Sequence, residues 1–184
     1  SGVEPLSNYI IDYSANFLEQ CRTGMGAYTE SSGPLFIRAA IASFIDRRDG
    51  ESIAANPEQI FLTDGASDAA KRILELLING PQDGVMIPIP QYPLYSATVK
   101  RCGGAQVNYY PDEDSDWALT PEILGEAYRK ATADGVHVKC IVAINPGNPT
   151  GAILDKPSID GVVHFAEQHG LAIIADEVYQ NNLY

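Results

Sequence analysis

Apolar side chains recur at helical spacing near the start of the chain. Ile10, Tyr13 and Phe17 lie three and four residues apart, and this spacing predicts a helix over residues 6–20. A helix of this kind presents one apolar stripe that must pack against another part of a protein. We therefore expect residues 1–27 to form a helical N-terminal segment.

From residue 28 onward, amphipathic helical segments alternate with short apolar runs. The predicted helices cover residues 34–46, 66–78, 92–101, 121–131 and 157–169, and the predicted strands cover residues 60–63, 85–87, 105–109, 139–144 and 171–175. Continuous apolar strands separated by helices are typical of a mostly parallel sheet that is covered on both faces. The fold class that we predict is therefore α/β, with helices on the two sides of that sheet.

The charge of the chain decides which partners we expect. A net charge of −12 and a pI near 4.5 leave no basic stripe for a nucleic-acid backbone or for an acidic membrane surface. No apolar run approaches the roughly 18 residues that indicate a membrane span. We therefore expect small-molecule partners, with no nucleic acid and no membrane among them.

The cysteines and histidines argue against disulfides and metal ligands. Cys21, Cys102 and Cys140 are odd in number and widely spaced, which does not suit a disulfide framework. The three histidines do not pair at metal-ligand spacing, so we expect no metal site. This cysteine usage is typical of a reducing, intracellular setting. We expect a cytoplasmic protein, with the mitochondrion or another organelle as the alternative.

Ligands of a parallel sheet bind outside the carboxyl ends of its strands, so the residues after each predicted strand are candidates for chemistry. Residues 63–67 (TDGAS) turn through glycine into a helix, where the free N–H groups of Ala66 and Ser67 suit a phosphate. An ordinary capped turn is the alternative. Residues 88–95 (PIPQYPLY) form a stiff loop that can present Tyr92 to a planar ring, although plain packing against the core has the same pattern.

Two further strand ends are more specific. Residues 144–151 (INPGNPTG) place two Asn-Pro pairs around a glycine, which fixes the loop and offers the amide of Asn148 for hydrogen bonds. Asp176 comes directly after the last predicted strand. A carboxylate at a buried strand end is costly to desolvate unless it meets a cation or strong donors. Asp176 therefore needs a partner, and the neighbouring sequence offers no Lys or Arg.

Taken together, these segments resemble the cofactor site of the fold-type I aminotransferases, which depend on pyridoxal 5'-phosphate (PLP). The resemblance rests on five motifs in order: Tyr28-x4-Gly33, TDGAS at 63–67, PIPQYPLYSA at 88–97, INPGNPTG at 144–151 and ADEVYQ at 175–180. Residues 47–50 (RRDG) and the long NPGNPTG form are similar to the alanine aminotransferases in particular. The resemblance implies that residues 28–184 are an incomplete PLP-binding large domain with three α/β/α layers.

The same resemblance implies roles around the phosphate and the ring face. Ala66 and Ser67 would hold the phosphate, and Tyr92 would stack on the pyridine ring. Tyr28 resembles the tyrosine that reaches the phosphate of the neighbouring subunit in this family. The chain is therefore expected to form a homodimer with shared sites.

Three more residues have implied roles at the ring edge. Asn148 and Tyr179 would hydrogen-bond the 3-oxygen of PLP, and Asp176 would pair with the ring nitrogen and keep it protonated. A protonated ring is the electron sink that stabilises the carbanion of the substrate. PLP would thus supply the partner that the carboxylate of Asp176 needs.

The implied activity is amino transfer from L-alanine to 2-oxoglutarate, which gives pyruvate and L-glutamate. The lysine that forms the Schiff base, and the arginine that binds the substrate carboxylate, are expected beyond residue 184, so we expect these 184 residues to be inactive by themselves. One alternative is another fold-type I PLP enzyme, such as an aromatic or kynurenine aminotransferase or a C–S lyase. The other is a non-catalytic PLP-fold fragment.

Overall fold

A computed structural model describes residues 7–21, 28–50 and 53–183 of the chain. Two compact units are present, Ser1–Thr63 and Asp64–Tyr184. The expected division between an N-terminal segment and a main domain after residue 27 stays a prediction. Within the described residues, no helix combines the length and the apolar character that crossing a membrane requires.

The first unit contains the two helices that the sequence predicts. Helix α1 covers Asn8–Gln20, and helix α2 covers Leu35–Arg48. Arg38 of α2 is buried and donates to the backbone oxygens of Gly33 at 2.9 Å and Pro57 at 2.7 Å. This guanidinium also pairs with Glu30. The buried arginine therefore fixes the loops at both sides of α2.

The strand predicted at residues 60–63 is wrong, because this run does not form a ladder. The N–H of Ile60 closes a 3-10 turn to the oxygen of Pro57, and the N–H of Leu62 donates to the oxygen of Ser32 at 2.9 Å. Phe61 is 70% exposed. An apolar run becomes a strand only where a neighbouring strand accepts its hydrogen bonds, and no described residue of this unit belongs to a strand.

The second unit is built on a parallel sheet of four strands. Strand β1 covers Asp83–Pro88, β2 covers Ala105–Tyr109, β3 covers His137–Ile144 and β4 covers Ala172–Asp176. The strand order is β2-β1-β3-β4, and every neighbouring pair is parallel. The predicted strands over residues 85–87, 105–109, 139–144 and 171–175 are therefore confirmed within a residue or two, as is the parallel arrangement.

Helices cover both faces of this sheet. They are α3 at Ala66–Leu77, α4 at Leu94–Cys102, α5 at Pro121–Ala133 and α6 at Lys156–His169. Val85 and Ile87 of β1 point into a core that α3 and α4 complete, whereas Met86 between them points into a second core with α5 and α6. Side chains of a strand alternate between its faces, so one buried strand supplies both cores. The predicted α/β/α layering is thus confirmed.

Candidate functional site

The residues singled out at the strand ends meet in one cleft. The cleft has a volume of about 260 Å³, and its lining consists of Ala66, Ser67, Tyr92, Leu94, Ile144, Asn148, Asp176, Val178 and Tyr179. Six of the seven residues predicted for the cofactor belong to this lining. The seventh, Tyr28, lies in the first unit, where its side chain is exposed. The role of Tyr28 therefore stays a prediction.

One wall of the cleft is the start of α3. Gly65 precedes the helix with φ 84° and ψ 166°, a backbone conformation that essentially only glycine adopts. Its carbonyl oxygen accepts the N–H groups of Asp68 at 3.1 Å and Ala69 at 3.3 Å. The N–H groups of Ala66 and Ser67 come before the first helical hydrogen bond and carry the positive end of the helix dipole. This wall therefore favours an anion.

The loop after β1 supplies an aromatic wall. Its backbone is held at the start, where the N–H of Ile89 donates to the oxygen of Tyr109 at 2.9 Å. Tyr92 then lines the cleft with half of its side chain exposed, at 50%. The alternative of plain core packing therefore does not describe Tyr92. It does describe the ring of Tyr95, which belongs to the core and is 1% exposed.

The loop after β3 is fixed by its own hydrogen bonds. The N–H of Gly147 donates to the oxygen of Ala152 at 2.8 Å, and the N–H of Gly151 donates to the oxygen of Gly147 at 2.8 Å. A Cβ atom added to Gly147 would lie 2.5 Å from Oγ1 of Thr150, so the loop has no room for a side chain there. Asn148 is carried into the cleft by this closed loop.

Two predicted residues at the ring edge contact each other. The Nδ2 atom of Asn148 donates to the hydroxyl oxygen of Tyr179 at 3.2 Å. Because the hydroxyl accepts this bond, its own proton is left for a further acceptor. Asn148 and Tyr179 thus form a pair of polar groups in the cleft lining, as two residues with a common ligand atom would.

Asp176 is the last residue of β4, and its carboxylate is half-buried. Its Oδ2 atom accepts the hydroxyl of Tyr95 at 2.6 Å, and its Oδ1 atom accepts the N–H of Val178 at 3.2 Å. Its backbone oxygen accepts the N–H of Asn145 at 3.0 Å, which ties β4 to the loop after β3. The predicted need for a partner is therefore met, in this structure, by a phenol and a backbone amide.

Tyr95 is the residue of this site that the sequence analysis missed. Its hydroxyl group is 2.6 Å from Asp176, although 81 residues separate the two along the chain. Burial first, and then the hydrogen bond and the negative charge of Asp176, raise the pKa of Tyr95 far above its ordinary value. The hydroxyl therefore stays a proton donor at neutral pH. A tyrosine three residues after Tyr92, on the buried side of α4, was the available signal.

The chain matches known proteins over most of its length. The family model for aminotransferase class I and II matches residues 16–184. Alanine aminotransferase 1 of Homo sapiens is 47% identical over 163 residues, which cover 87% of this chain and 32% of that protein. Glutamate–glyoxylate aminotransferase 1 of Arabidopsis thaliana is 44% identical over 169 residues, which cover 92% of this chain and 35% of that protein.

A solved structure shows the same fold. Alanine aminotransferase from Pyrococcus furiosus superposes with a TM-score of 0.73 at 29% identity, over 90% of this chain and 40% of that chain. The chain spans about a third of the length of the curated relatives that it matches. On the family match and these identities, the chain belongs to the class I and II aminotransferases.

Proposed function

We propose that the whole protein transfers the amino group of L-alanine to 2-oxoglutarate with PLP as cofactor and forms pyruvate and L-glutamate. The observation that carries the proposal is the single cleft lined by Ala66, Ser67, Tyr92, Asn148, Asp176 and Tyr179. These residues come from the end of β4, from the loops after β1, β3 and β4, and from the start of α3. Their convergence gives each part of one flat, phosphorylated, nitrogen-containing ring a suitable neighbour.

PLP is the cofactor of this family, and the residues present fit it. The phosphate carries negative charge and suits the N–H groups at Ala66 and Ser67, where the helix dipole is positive. The pyridine ring is planar and suits the half-exposed face of Tyr92. The ring nitrogen becomes cationic when it is protonated, and Asp176 is the carboxylate of the cleft.

When bound, PLP supplies an electron sink for the bond that breaks at the α-carbon of the amino acid. The chain's own residues decide how strongly it does so. Asp176 favours the protonated form of a ring nitrogen beside it, because a nearby opposite charge stabilises the charged state. Asn148 and Tyr179 would donate to the ring oxygen, with the Tyr179 proton left free by the bond that its oxygen accepts.

The choice of alanine as the amino donor is supported by the human and Pyrococcus relatives, both named alanine aminotransferases. The Arabidopsis relative, named for glutamate and glyoxylate, makes glyoxylate a second candidate as the amino acceptor. An aromatic or kynurenine aminotransferase, a C–S lyase and a non-catalytic fragment remain the rival assignments.

Steady-state kinetics of the full-length protein would test this assignment. The donors are alanine, aspartate, kynurenine and cystathionine, each with 2-oxoglutarate, and alanine is also tested with glyoxylate. Cystathionine is also tested without an oxo acid, because a C–S lyase cleaves it by elimination and needs no amino acceptor. We expect the highest kcat/KM for alanine with 2-oxoglutarate. An alanine kcat/KM no higher than that of the other donors would overturn the alanine assignment, and no turnover of any donor would favour the non-catalytic reading.

A homodimer with shared sites is part of the proposal, with Tyr28 acting on the PLP phosphate of the partner. Mixing two defective variants of the full-length protein, Tyr28→Phe and Asp176→Ala, would test it. If Tyr28 acts across subunits, each mixed dimer regains one site without either defect, and PLP affinity is partly restored. Restoration would be absent if Tyr28 served its own subunit or if the protein were a monomer. A cytoplasmic location also stays a proposal, which microscopy of a tagged full-length protein would check.

A further inference from the structure

Tyr95 is buried and does not belong to the cleft lining, yet its hydroxyl contacts a residue of that lining. Its ring belongs to the core that α3 and α4 share with the sheet, and 1% of the residue is exposed. Only its hydroxyl reaches the site, where it donates to Asp176 at 2.6 Å. A packing role alone would not need this hydroxyl, because phenylalanine fills nearly the same volume.

The hydroxyl connects two elements that are not neighbours in the sheet. Tyr95 lies in the first turn of α4, which follows β1, and Asp176 ends β4. Strand β3 separates β1 from β4 in the sheet order. The bond therefore fixes the carboxylate relative to the loop that carries Tyr92, three residues before Tyr95. The side chain of Tyr95 thus links the residue proposed for the ring face, Tyr92, to the residue proposed for the ring nitrogen, Asp176.

The hydrogen bond from Tyr95 leaves the carboxylate of Asp176 free to accept a further hydrogen bond. Each carboxylate oxygen has two lone pairs, and the structure uses one on Oδ2 for Tyr95 and one on Oδ1 for the N–H of Val178. A short bond from a hydroxyl to a carboxylate is charge-assisted and therefore strong. It also orients the carboxylate of Asp176, because the Oδ2 atom is held by the hydroxyl of Tyr95.

We propose that Tyr95 is a positioning residue for PLP, which holds the Asp176 carboxylate in place for the ring nitrogen. This inference rests on the proposed function, since it requires that PLP occupy the cleft. Tyr95 does not touch the cofactor in this account. It acts through Asp176, and its effect must therefore vanish when Asp176 is removed.

Tyr109 of strand β2 is a matched control for Tyr95. Tyr109 is buried to the same degree, at 2% exposed, and its hydroxyl donates to the backbone oxygen of Val142 at 2.7 Å. Its ring belongs to the other core, with α5 and α6. If buried tyrosine hydroxyls matter only for packing, Tyr95→Phe and Tyr109→Phe have the same effect on PLP binding.

The test is PLP affinity, measured by equilibrium dialysis with the full-length apoprotein, for the wild type and the variants Tyr95→Phe, Tyr109→Phe, Asp176→Ala and the Tyr95→Phe/Asp176→Ala double variant. We expect Tyr95→Phe to weaken binding on the order of 10-fold, the loss of one hydrogen bond to a charged group. Tyr109→Phe should stay within about twofold of the wild type, because Tyr109 is not part of the cleft lining and its hydroxyl bonds a backbone oxygen. In the Asp176→Ala background, Tyr95→Phe should add nothing.

Each other outcome has a distinct meaning. Wild-type affinity in Tyr95→Phe, with reduced affinity in Asp176→Ala, overturns this inference and leaves the proposed function intact. An equal loss from Tyr95→Phe in both backgrounds also overturns the inference, because the effect would then not pass through Asp176. No PLP binding by the wild type overturns the proposed function and the inference with it.

A second measurement separates positioning from a general loss of structure. Thermal unfolding is compared for Tyr95→Phe and Tyr109→Phe, which each lose one buried hydroxyl. Binding of a PLP analogue with carbon in place of the ring nitrogen is then measured for the wild type and Tyr95→Phe. The analogue offers Asp176 no N–H, so we expect the two proteins to bind it equally. A 10-fold difference with the analogue as well would contradict the inference.

Discussion

The side-chain amide of Asn148 donates to the hydroxyl of Tyr179 at 3.2 Å and so joins the loop after β3 to the loop after β4. Both residues line the cleft. Because the phenol oxygen accepts this bond, the phenol proton points to a further acceptor, which the proposed function identifies as the ring oxygen of PLP. Asn148 and Tyr179 are thus two hydrogen-bond donors for one proposed acceptor, and each can be substituted separately.

Removing the phenol proton should weaken the hold on the ring oxygen. In the full-length protein, we expect Tyr179→Phe to lower kcat about 10-fold, because one hydrogen bond to a charged group is lost. We also expect the absorption band of bound PLP to titrate at a different pH. The matched control is Tyr110→Phe, since Tyr110 is exposed and lies outside the cleft lining. Equal spectra and rates for the two variants would contradict the role given to Tyr179.

Charge at the start of α3 should affect folding and cofactor binding in opposite directions. Ser67→Asp puts a carboxylate at the positive helix end, which we expect to raise the free energy of unfolding by about 0.3–1 kcal/mol. The same carboxylate repels a phosphate, so PLP affinity should fall at least about 100-fold, whereas Ser67→Ala removes one hydroxyl and should cost about 10-fold.

Chemical denaturation and PLP titration of the full-length protein measure these two effects. Ser96→Asp is the control, because Ser96 lies in the first turn of α4 and outside the cleft lining. It should leave PLP affinity unchanged. Ser67→Asp that binds PLP as tightly as the wild type would show that the phosphate does not lie at this helix start.

Gly65 should resist substitution because of its backbone and not because of crowding. Its φ of 84° is strained for any L side chain, although no atom lies within 4 Å of an added Cβ. We expect Gly65→Ala to lower the free energy of unfolding by about 1–3 kcal/mol. Gly80 also has open space around an added Cβ but no positive φ, so Gly80→Ala should be nearly neutral. Equal unfolding curves for the two variants would contradict the strain at Gly65.

The periodic part of the fold could be read from the sequence. Strand β3 includes the predicted residues 139–144, because a strand that is buried on both faces shows a nearly continuous apolar run, which is visible locally. Residues 60–63 carry the same signal but have no neighbouring strand in the first unit. Pairing is a non-local property, so pattern alone could not distinguish these two runs.

The site was predictable where one side chain has one implied contact, and less so where two side chains act together. Asp176 stood out because a carboxylate after an apolar run needs a partner. Its partner Tyr95 did not stand out, because a tyrosine on the buried side of a helix is ordinary core. Their separation of 81 positions along the chain makes this bond a consequence of the strand order, which only the folded sheet fixes.

Burial should protect one of the three thiols. Desolvation raises the pKa of Cys140 from 9.0 to about 12, whereas Cys21 and Cys102 are partly exposed. At pH 8 we expect a thiol reagent to modify Cys140 far more slowly than the other two cysteines of the chain, as peptide mapping by mass spectrometry would show. The thiol of Cys140 ionises near pH 9 in the unfolded chain and near pH 12 in the folded chain. The free energy of unfolding should therefore fall as the pH rises between these values.

A substitution separates the thiol from other alkaline effects. Cys140→Ala removes the titrating group, so the loss of stability between pH 9 and 12 should be smaller in this variant than in the wild type. An unchanged pH dependence, or a Cys140 that reacts as fast as Cys102 in the folded protein, would argue against a buried, neutral thiol in the sheet.

The most direct measurement is the protonation state of the ring nitrogen in the full-length protein with ¹⁵N-labelled PLP. The carboxylate of Asp176, which the hydroxyl of Tyr95 orients, should hold this nitrogen as a pyridinium at neutral pH. Nitrogen-15 NMR should therefore give the protonated chemical shift in the wild type and the neutral shift in Asp176→Ala. A neutral ring nitrogen in the wild type, or a pyridinium that persists without Asp176, would contradict the placement of PLP in this cleft.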